Sequence, residues 1–324
     1  SDVTIGNQSG EKWAKNIITE LKEMPNVVLK NRAQVFGYYD HNMLVMSERI
    51  NDHLPKSKKY SPKQRLWYIR AKEVVISSGS IERPLVFGNN DTPGVVLSSA
   101  AKEYLKVYGV LVGKKPLIFT NNDSAYETAI EFKKNGIDPM VLDTRVNPSS
   151  EIIDEAKNLN INIKFSYVVI AAKGYKKVKS AEIAKISEDK KDLGKIENIN
   201  CDCICVSGFW TPTIHLASQS GNKTKFNKEI DAFLPNQSKQ EETTLGSANG
   251  IFTLEETIKT SFEAGHELSK KITDNDNKVP VPQVTEKKST QHDKFWCVPL
   301  PKGKKYKRFL DFQNDVAVTD IELA

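Results

Sequence analysis

The chain has 324 residues and a net charge of +6, with 39% hydrophobic and 27% charged residues. At roughly 150 residues per domain the length accommodates about two domains with buried cores, which excludes a disulfide-stapled miniprotein, and the composition excludes wholesale disorder. No stretch approaches the ~18 uninterrupted apolar residues of a membrane-spanning helix, and SDVTIGNQSGEKW has neither a basic start nor an apolar core, so no membrane and no secretory signal are read and the expected address is cytoplasmic.

The elements alternate between strand and helix. Trp13, Ile17, Ile18 and Leu21 recur at helical spacing between Glu11 and Lys22, and Pro25 stops that helix. VVLK from Val27 reads as a short strand. The residues around Val35 and the run MLVMSERI read as two halves of a ribbon turning at Asp40 to Asn42, and Asn51 to Lys63 as an exposed hairpin loop. Val74, Val75 and Ile76 form a buried strand that ends in Ser78 and Gly79, small residues past which a ligand can approach backbone.

A helix from about Ser98 to Tyr108 precedes a β-α-β unit: PLIFT, the loop NND, the helix SAYETAIEFKKNG closed by Gly136, and PMVLD ending at Asp143. In a dinucleotide-binding unit an acid at the end of that second strand meets ribose hydroxyls. A helix from Pro148 to Leu159, a strand from Ile161 to Phe165 and a charged hairpin from Lys173 to Ile199 follow. The strand CDCICVSG sets Cys201, Cys203 and Cys205 on one face, read as buried thiols because no C-x-x-C knuckle supports a metal. From Leu245 a glycine turn feeds a helix through Glu263; beyond Lys271 the polar, proline-bearing run reads as a linker of about twenty residues, and FLDFQNDVAVTDIELA begins a further element.

The glycines that let a pyrophosphate approach backbone are missing from TNNDSAYETA, where Thr120, Asn122 and Ala125 take their positions. Asp123 reads as an N-cap of the helix, and Asp143 as either a ribose ligand or a solvated strand end. The 41 acidic residues are interspersed with 47 basic ones, and the run KGKKYKR has a single aromatic, so no nucleic-acid partner is expected. No Ser-His-Asp set, carboxylate pair or activated cysteine is read, so no catalytic residue is assigned and any oxidative chemistry belongs to a cofactor.

Five ordered strings, FGYYDHN, QRLWYIRAKEVVISSGSIERPLVFGNNDTPGV, FTNNDSAYETA, CVSGFWTPTIHLASQSGNK and FLDFQNDV, resemble the alpha subunits of heterotetrameric sarcosine oxidase from about Trp13 to the C-terminus. The resemblance implies an α/β chain with two nested FAD/NAD(P)-binding Rossmann-like domains of the pyridine-nucleotide-disulfide oxidoreductase type, the first incomplete. Residues 1–110 and 201–270 would form the first, discontinuous domain, 111–200 the inserted one, and 271–324 the linker and the start of the next domain. It also implies a glycine fingerprint upstream of Ser1 and a folate-binding domain beyond Ala324, hence weak or absent NAD binding by residues 1–324 alone.

By the same resemblance the subunit holds NAD and shares FMN with a beta subunit that carries FAD, and gamma and delta subunits complete the complex. That complex would oxidise sarcosine, pass electrons to oxygen and deliver the methyl carbon to tetrahydrofolate. The cofactor-binding positions carried over are Val35, Ser78, Gly79, Gly246, Ser247, Ala248 and Phe252; Ser247 stands where related flavoproteins have an aspartate. Arg83 is read as a phosphate ligand or a surface ion pair, and Trp210 and His215 as an FMN edge or a packed aromatic cluster. A subunit of an N-methylglutamate or opine dehydrogenase, and a non-catalytic scaffold for the beta subunit, are the alternatives.

Overall fold

The computed structural model describes residues 3–55, 60–273, 276–286 and 291–324, which divide into two compact units. Unit 1 is Ser1–Ile81 with Thr211–Lys287, and unit 2, which interrupts it in sequence, is Glu82–Trp210 with Lys288–Ala324.

Unit 1 begins with strand β1 (Thr4–Ile5) and helix α1 (Gly10–Glu23). The Ser9 hydroxyl caps α1 by accepting from the Lys12 N–H at 3.3 Å, and Glu11 pairs with Lys15 one turn on. The expected helix is present, yet none of its residues is buried. The strand expected at Val27 is not formed; residues 27–30 carry no regular structure, since a β-prone run makes a strand only beside a partner. Strands β2 (Ala33–Tyr39), β3 (Met43–Arg49) and β4 (Gln64–Arg70) build the antiparallel ribbon. Its first turn uses His41 and Asn42 at φ 58° and 52°. Tyr38 is fully buried and donates to Asn42 Oδ1 at 2.8 Å; burial pushes its phenol up to about 12. Of the expected hairpin loop, residues 56–59 lie outside the described residues. Strand β5 (Val74–Ile76) ends this leg.

Unit 2 is a three-layer α/β body. Strand β6 (Val95–Leu97), helix α2 (Ser98–Tyr108), β7 (Pro116–Thr120), α3 (Ser124–Lys134), β8 (Met140–Asp143), α4 (Glu151–Asn158) and β9 (Asn162–Phe165) follow in sequence. The antiparallel strands β10 (Tyr167–Lys173), β11 (Ser180–Lys185) and β12 (Glu197–Asn200) then precede β13 (Cys203–Ser207). The parallel sheet runs β9-β8-β7-β13-β6, with Leu117 opposite Met140 on one side and Ile204 on the other.

Alternation along the parallel strands fills both faces. Leu117, Phe119, Leu142, Ile204 and Val206 face the antiparallel sheet, while Ile118, Val141, Cys203 and Cys205 face Ala125, Ala129, Phe132 and Ile153 of the helices. A large apolar side chain buried this fully contributes about 1.5–3 kcal/mol. Cys201 belongs to the opposite cluster from Cys203 and Cys205, which corrects the expectation of three thiols on one face: it precedes the regular pleat of β13. Because β13 and β6 are laddered into this sheet, the units part at 81/82 and 210/211, where the sequence suggested 110/111 and 200/201.

Unit 1 resumes with helix α5 (His215–Gln219), the hairpin β14 (Lys223–Asn227) and β15 (Ala232–Gln237), and β16 (Glu242–Thr244), which pairs parallel to β5. Helix α6 (Leu254–Thr273) runs past the expected end at Glu263, its last turn held by Lys271, which pairs with Glu73 at 2.5 Å and with Glu241.

Parts of the linker expected beyond Lys271 are bound chain, because their backbone finds partners that composition does not reveal. Strand β17 (Val284–Thr285) pairs with β1 in unit 1. In unit 2, Trp296 accepts from the Val86 N–H and Val298 donates to the Val86 carbonyl, each at 2.8 Å. Residues 274, 275 and 287–290 of that run lie outside the described residues. The C-terminal hairpin, β18 (Phe309–Asp311) with β19 (Val316–Ala317), is tied to unit 2 by a reciprocal pair of 2.9 Å hydrogen bonds between Asn90 and the Phe309 backbone.

Candidate functional site

In open α/β sheets ligands bind at the carboxyl ends of parallel strands. In unit 1 those ends belong to β5 and β16. The Leu245 N–H donates to Ile76 at 2.9 Å, which sets the chain after β16 beside the chain after β5. Gly79 takes φ +77°, a region open chiefly to glycine, and its missing Cβ would lie 3.9 Å from Ser247 Oγ. Ser78 donates to the Thr213 carbonyl at 2.6 Å, and Thr213 N–H returns to the Gly79 carbonyl at 2.9 Å. Gly246, at φ +63°, brings its backbone so near α6 that a Cβ would meet Thr257 Cγ2 at 3.3 Å.

The structure therefore brings together Ser78, Gly79, Gly246, Ser247 and Ala248 of the expected cofactor positions, with Ser78 exposed, Gly79 and Ser247 half-buried and Gly246 and Ala248 buried. Phe252 is half-buried in the turn that leads to α6. Val35 lies on a different sheet, opposite Met46 in the ribbon. A shelf of small side chains at two parallel strand ends fits the flat edge of a nucleotide, which needs backbone approach more than charge.

The N-terminus of α6, the natural seat for a phosphate, is already taken. Glu286 Oε1 accepts from the Leu254 N–H at 2.7 Å and the Glu255 N–H at 3.1 Å. Glu286 was not singled out in the sequence; a carboxylate following a Pro-rich run gives no local signal of the helix start it serves.

In unit 2 the carboxyl ends of β7 and β13 are filled by side chains. Asn122 donates to the Ser207 carbonyl at 3.2 Å and its hydroxyl at 3.1 Å, while Asn122 Oδ1 accepts from Ser124 N–H at 3.0 Å. Asn122 thus supplies the acceptor at the start of α3. The reading of Asp123 as N-cap is corrected: its own backbone is helical, its side chain makes no capping bond, and Arg145 Nη1 holds its Oδ1 at 2.8 Å.

Asp143 is fully buried, which corrects its reading as a solvated strand end. It accepts from Arg145 Nε at 3.0 Å, Arg145 Nη2 at 2.7 Å, the Arg145 N–H at 3.0 Å and Tyr126 hydroxyl at 2.8 Å, leaving little for a ribose. Burial raises the Tyr126 phenol above its ordinary range, and the Asp143 charge adds to it. Burial pulls Arg145 down, but its bonds to Asp143 and the two carboxylate charges more than offset that and hold it firmly protonated. Arg145 was legible only as an arginine two residues past a strand-end acid.

The start of α2 is filled as well. Glu82 Oε2 accepts from Ser99 N–H at 2.8 Å and Ser99 hydroxyl at 2.6 Å. Arg83 donates through Nε to the Gly208 carbonyl at 2.6 Å. Trp210 donates to Ser124 Oγ at 3.1 Å in unit 2, and His215 opens α5 in unit 1, exposed. All four cysteines are free thiols, and no cluster of three or more metal-ligating side chains occurs among the described residues.

The parallel sheet of unit 2 and the paired strand ends of unit 1 define the class: an α/β chain whose fold is that of flavoprotein and pyridine-nucleotide reductases. The solved structures agree on that fold. T. acidophilum thioredoxin reductase superposes with TM-score 0.54 at 14% identity over 75% of this chain and 74% of its own. An HOCl-induced flavoprotein disulfide reductase from Escherichia coli gives 0.53 at 12% over 83% and 56%.

In sequence the chain is similar to the sarcosine oxidase alpha subunits almost from end to end. It is 32% identical to sarcosine oxidase subunit alpha of Rhizobium meliloti (strain 1021) over 99% of this chain and 31% of that protein. The counterpart of Corynebacterium sp. (strain P-1) is 29% identical over 98% and 33%. The chain thus spans about a third of the length of these relatives. No family model matches it.

Proposed function

We propose that the chain serves in a sarcosine oxidase complex as the alpha-subunit region it matches. The observation that carries this reading is the sequence similarity along 98–99% of the chain. The complex would demethylate sarcosine oxidatively to glycine, pass the methyl carbon to tetrahydrofolate and reduce oxygen to hydrogen peroxide, in the cytoplasm and with beta, gamma and delta subunits.

In this reading unit 1 is the first dinucleotide-binding domain and holds NAD. Ser78, Gly79, Gly246, Ser247, Ala248 and Phe252 line it, Val35 standing apart on the antiparallel ribbon, and FMN is shared with a beta subunit that carries FAD. These cofactors supply the hydride and electron chemistry. The chain's own contribution is binding and orientation: Gly79 offers an unobstructed backbone edge, Ser247 offers a hydroxyl, and Gly246 keeps the turn tight against α6. What supports the assignment is the small-residue shelf at the ends of β5 and β16.

A complex assembled from this chain with its beta, gamma and delta partners is expected to release peroxide on addition of sarcosine, and to yield NAD on nucleotide extraction. Gly79→Val, whose branched side chain is strained at φ +77°, should lower extracted NAD at least about tenfold. Turnover of N-methylglutamate or an opine but not of sarcosine would move the substrate to the related dehydrogenases. Unchanged NAD in the Gly79→Val complex would remove these residues from the site. A scaffold reading is favoured for unit 2 alone, by its filled crevice.

A further inference from the structure

Unit 2 has the frame of a nucleotide-binding domain: a five-stranded parallel sheet whose order reverses between β7 and β13, with α3 starting at the end of β7. A ligand in such a frame uses three features at the reversal: the gap between the two strand ends, the free N–H groups of the following helix, and the acid at the end of the next strand. Each has an occupant from the chain itself. The Asn122 amide bridges to Ser207 across the gap, Asn122 Oδ1 and the Gln291 carbonyl take the N–H groups of Ser124 and Asp123, and Arg145 with Tyr126 takes Asp143.

The segment from Gln291 to Phe295 runs over these strand ends. Asp123 N–H donates to Gln291 at 3.2 Å, Arg145 Nη1 to the same carbonyl at 3.2 Å, and Asp293 N–H to the Asn121 carbonyl at 2.8 Å. The Asn121 amide donates to the carbonyls of Asp293 at 2.8 Å and Phe295 at 2.7 Å, and His292 stacks on Phe209 with ring centroids 3.8 Å apart. The charge is also wrong for a phosphate. Arg145 is shared between Asp143 and Asp123, leaving the buried cluster one negative charge in excess, and Asp123 Oδ2 is buried with no hydrogen-bond donor.

We propose that the cofactor crevice of unit 2 is permanently occupied by the chain's own Gln291–Phe295 strap, latched by Asn121 and the Asp123–Arg145–Asp143 cluster, so that this unit takes no dinucleotide and uses its crevice to anchor the strap.

The test uses the purified 324-residue chain. Photolabelling with an azido-adenine analogue of NAD, followed by peptide mapping, is expected to mark unit 1 alone or nothing. Label within residues 117–145 or 203–210 overturns the proposal. A chain left wholly unlabelled agrees with the weak or absent NAD binding expected of residues 1–324 alone and leaves the strap standing. In parallel, Asn121→Ala should raise chymotryptic cleavage after Phe295 and Trp296 about tenfold with unchanged circular dichroism, the factor that two buried hydrogen bonds supply. Should that variant not fold, Arg145→Lys, which keeps the charge but loses the fork geometry, replaces it. Cleavage at the wild-type rate in a folded variant overturns the latch.

Discussion

Glu286 and Leu254 stand 32 residues apart in sequence, and the Leu254 N–H donates to Glu286 Oε1 at 2.7 Å. One oxygen also takes the Glu255 N–H, so a single carboxylate satisfies two of the four donors that α6 leaves open. Replacing it should cost what losing an N-cap costs. Glu286→Ala is expected to destabilise unit 1 by about 1 kcal/mol, and Glu286→Gln by less, since the amide oxygen still accepts without the favourable charge. Urea midpoints of the two variants check this, and equal midpoints for Glu286→Ala and wild type would dismiss the cap.

The carboxyl of Glu82 is held above its ordinary value of 4.5 chiefly by burial, against the lowering effect of its bonds to Ser207 and Ser99. A carboxylate whose folded value is raised binds its proton more tightly folded than unfolded. Its cost to stability is therefore absent below 4.5 and sets in as pH rises through the folded value. Melting temperature measured upward from pH 4 should fall over that interval in wild type, and Glu82→Gln should flatten the fall. A variant with the same pH slope would assign the slope to other groups.

Much of unit 2 was legible because its signals are local. PLIFT is an apolar run bounded by turns, and SAYETAIEFKKNG carries its own stop in Gly136, so β7, α3 and β8 fall where the sequence puts them. The strand end at Ser78 and Gly79 and the glycine turn at Gly246 were equally readable, because left-handed φ values at Gly79 and Gly246 demand that residue. What stayed hidden depends on partners distant in sequence. The polar composition of Gln291–Phe295 describes a linker, and partners far back in the sequence, among them the Asn121 amide more than 170 residues earlier, make it a bound strap. Asp143 reads as a ribose ligand or a solvated strand end for a different reason: Arg145 is only two residues on, but the sequence does not show its guanidinium folded back on the carboxylate.

The thiols offer a chemical check on burial. Burial pushes the Cys201 thiol up to about 12, and Cys205 is raised by its contact with the Cys203 sulfur and by burial. At pH 8 only on the order of one Cys201 in ten thousand is then thiolate, against roughly a quarter of an ordinary thiol. Iodoacetamide at pH 8 should therefore leave Cys201 and Cys205 unmodified in the folded chain and label all four cysteines in urea, as read by peptide mass. Rapid labelling of Cys205 in the native chain would place β13 outside the core.

Gly208 is glycine for space, not for conformation. Its N–H donates to the Arg83 carbonyl at 2.6 Å, and an added Cβ would stand 2.8 Å from the Pro84 carbonyl oxygen and 3.0 Å from that of Arg83. Both obstacles are backbone, so neither can swing aside as a side-chain tip would. Gly208→Ala should cost about 1–3 kcal/mol as the two chain segments are forced apart. Gly136 is the matched control: it has φ +78° and nothing within 4 Å of its Cβ position, so Gly136→Ala pays only for the left-handed backbone, about 1 kcal/mol. Denaturant midpoints should fall further for Gly208→Ala than for Gly136→Ala. The reverse order would mean that the chain after β13 yields readily, and that the approach of Gly208 to Arg83 and Pro84 does not hold this end of the sheet.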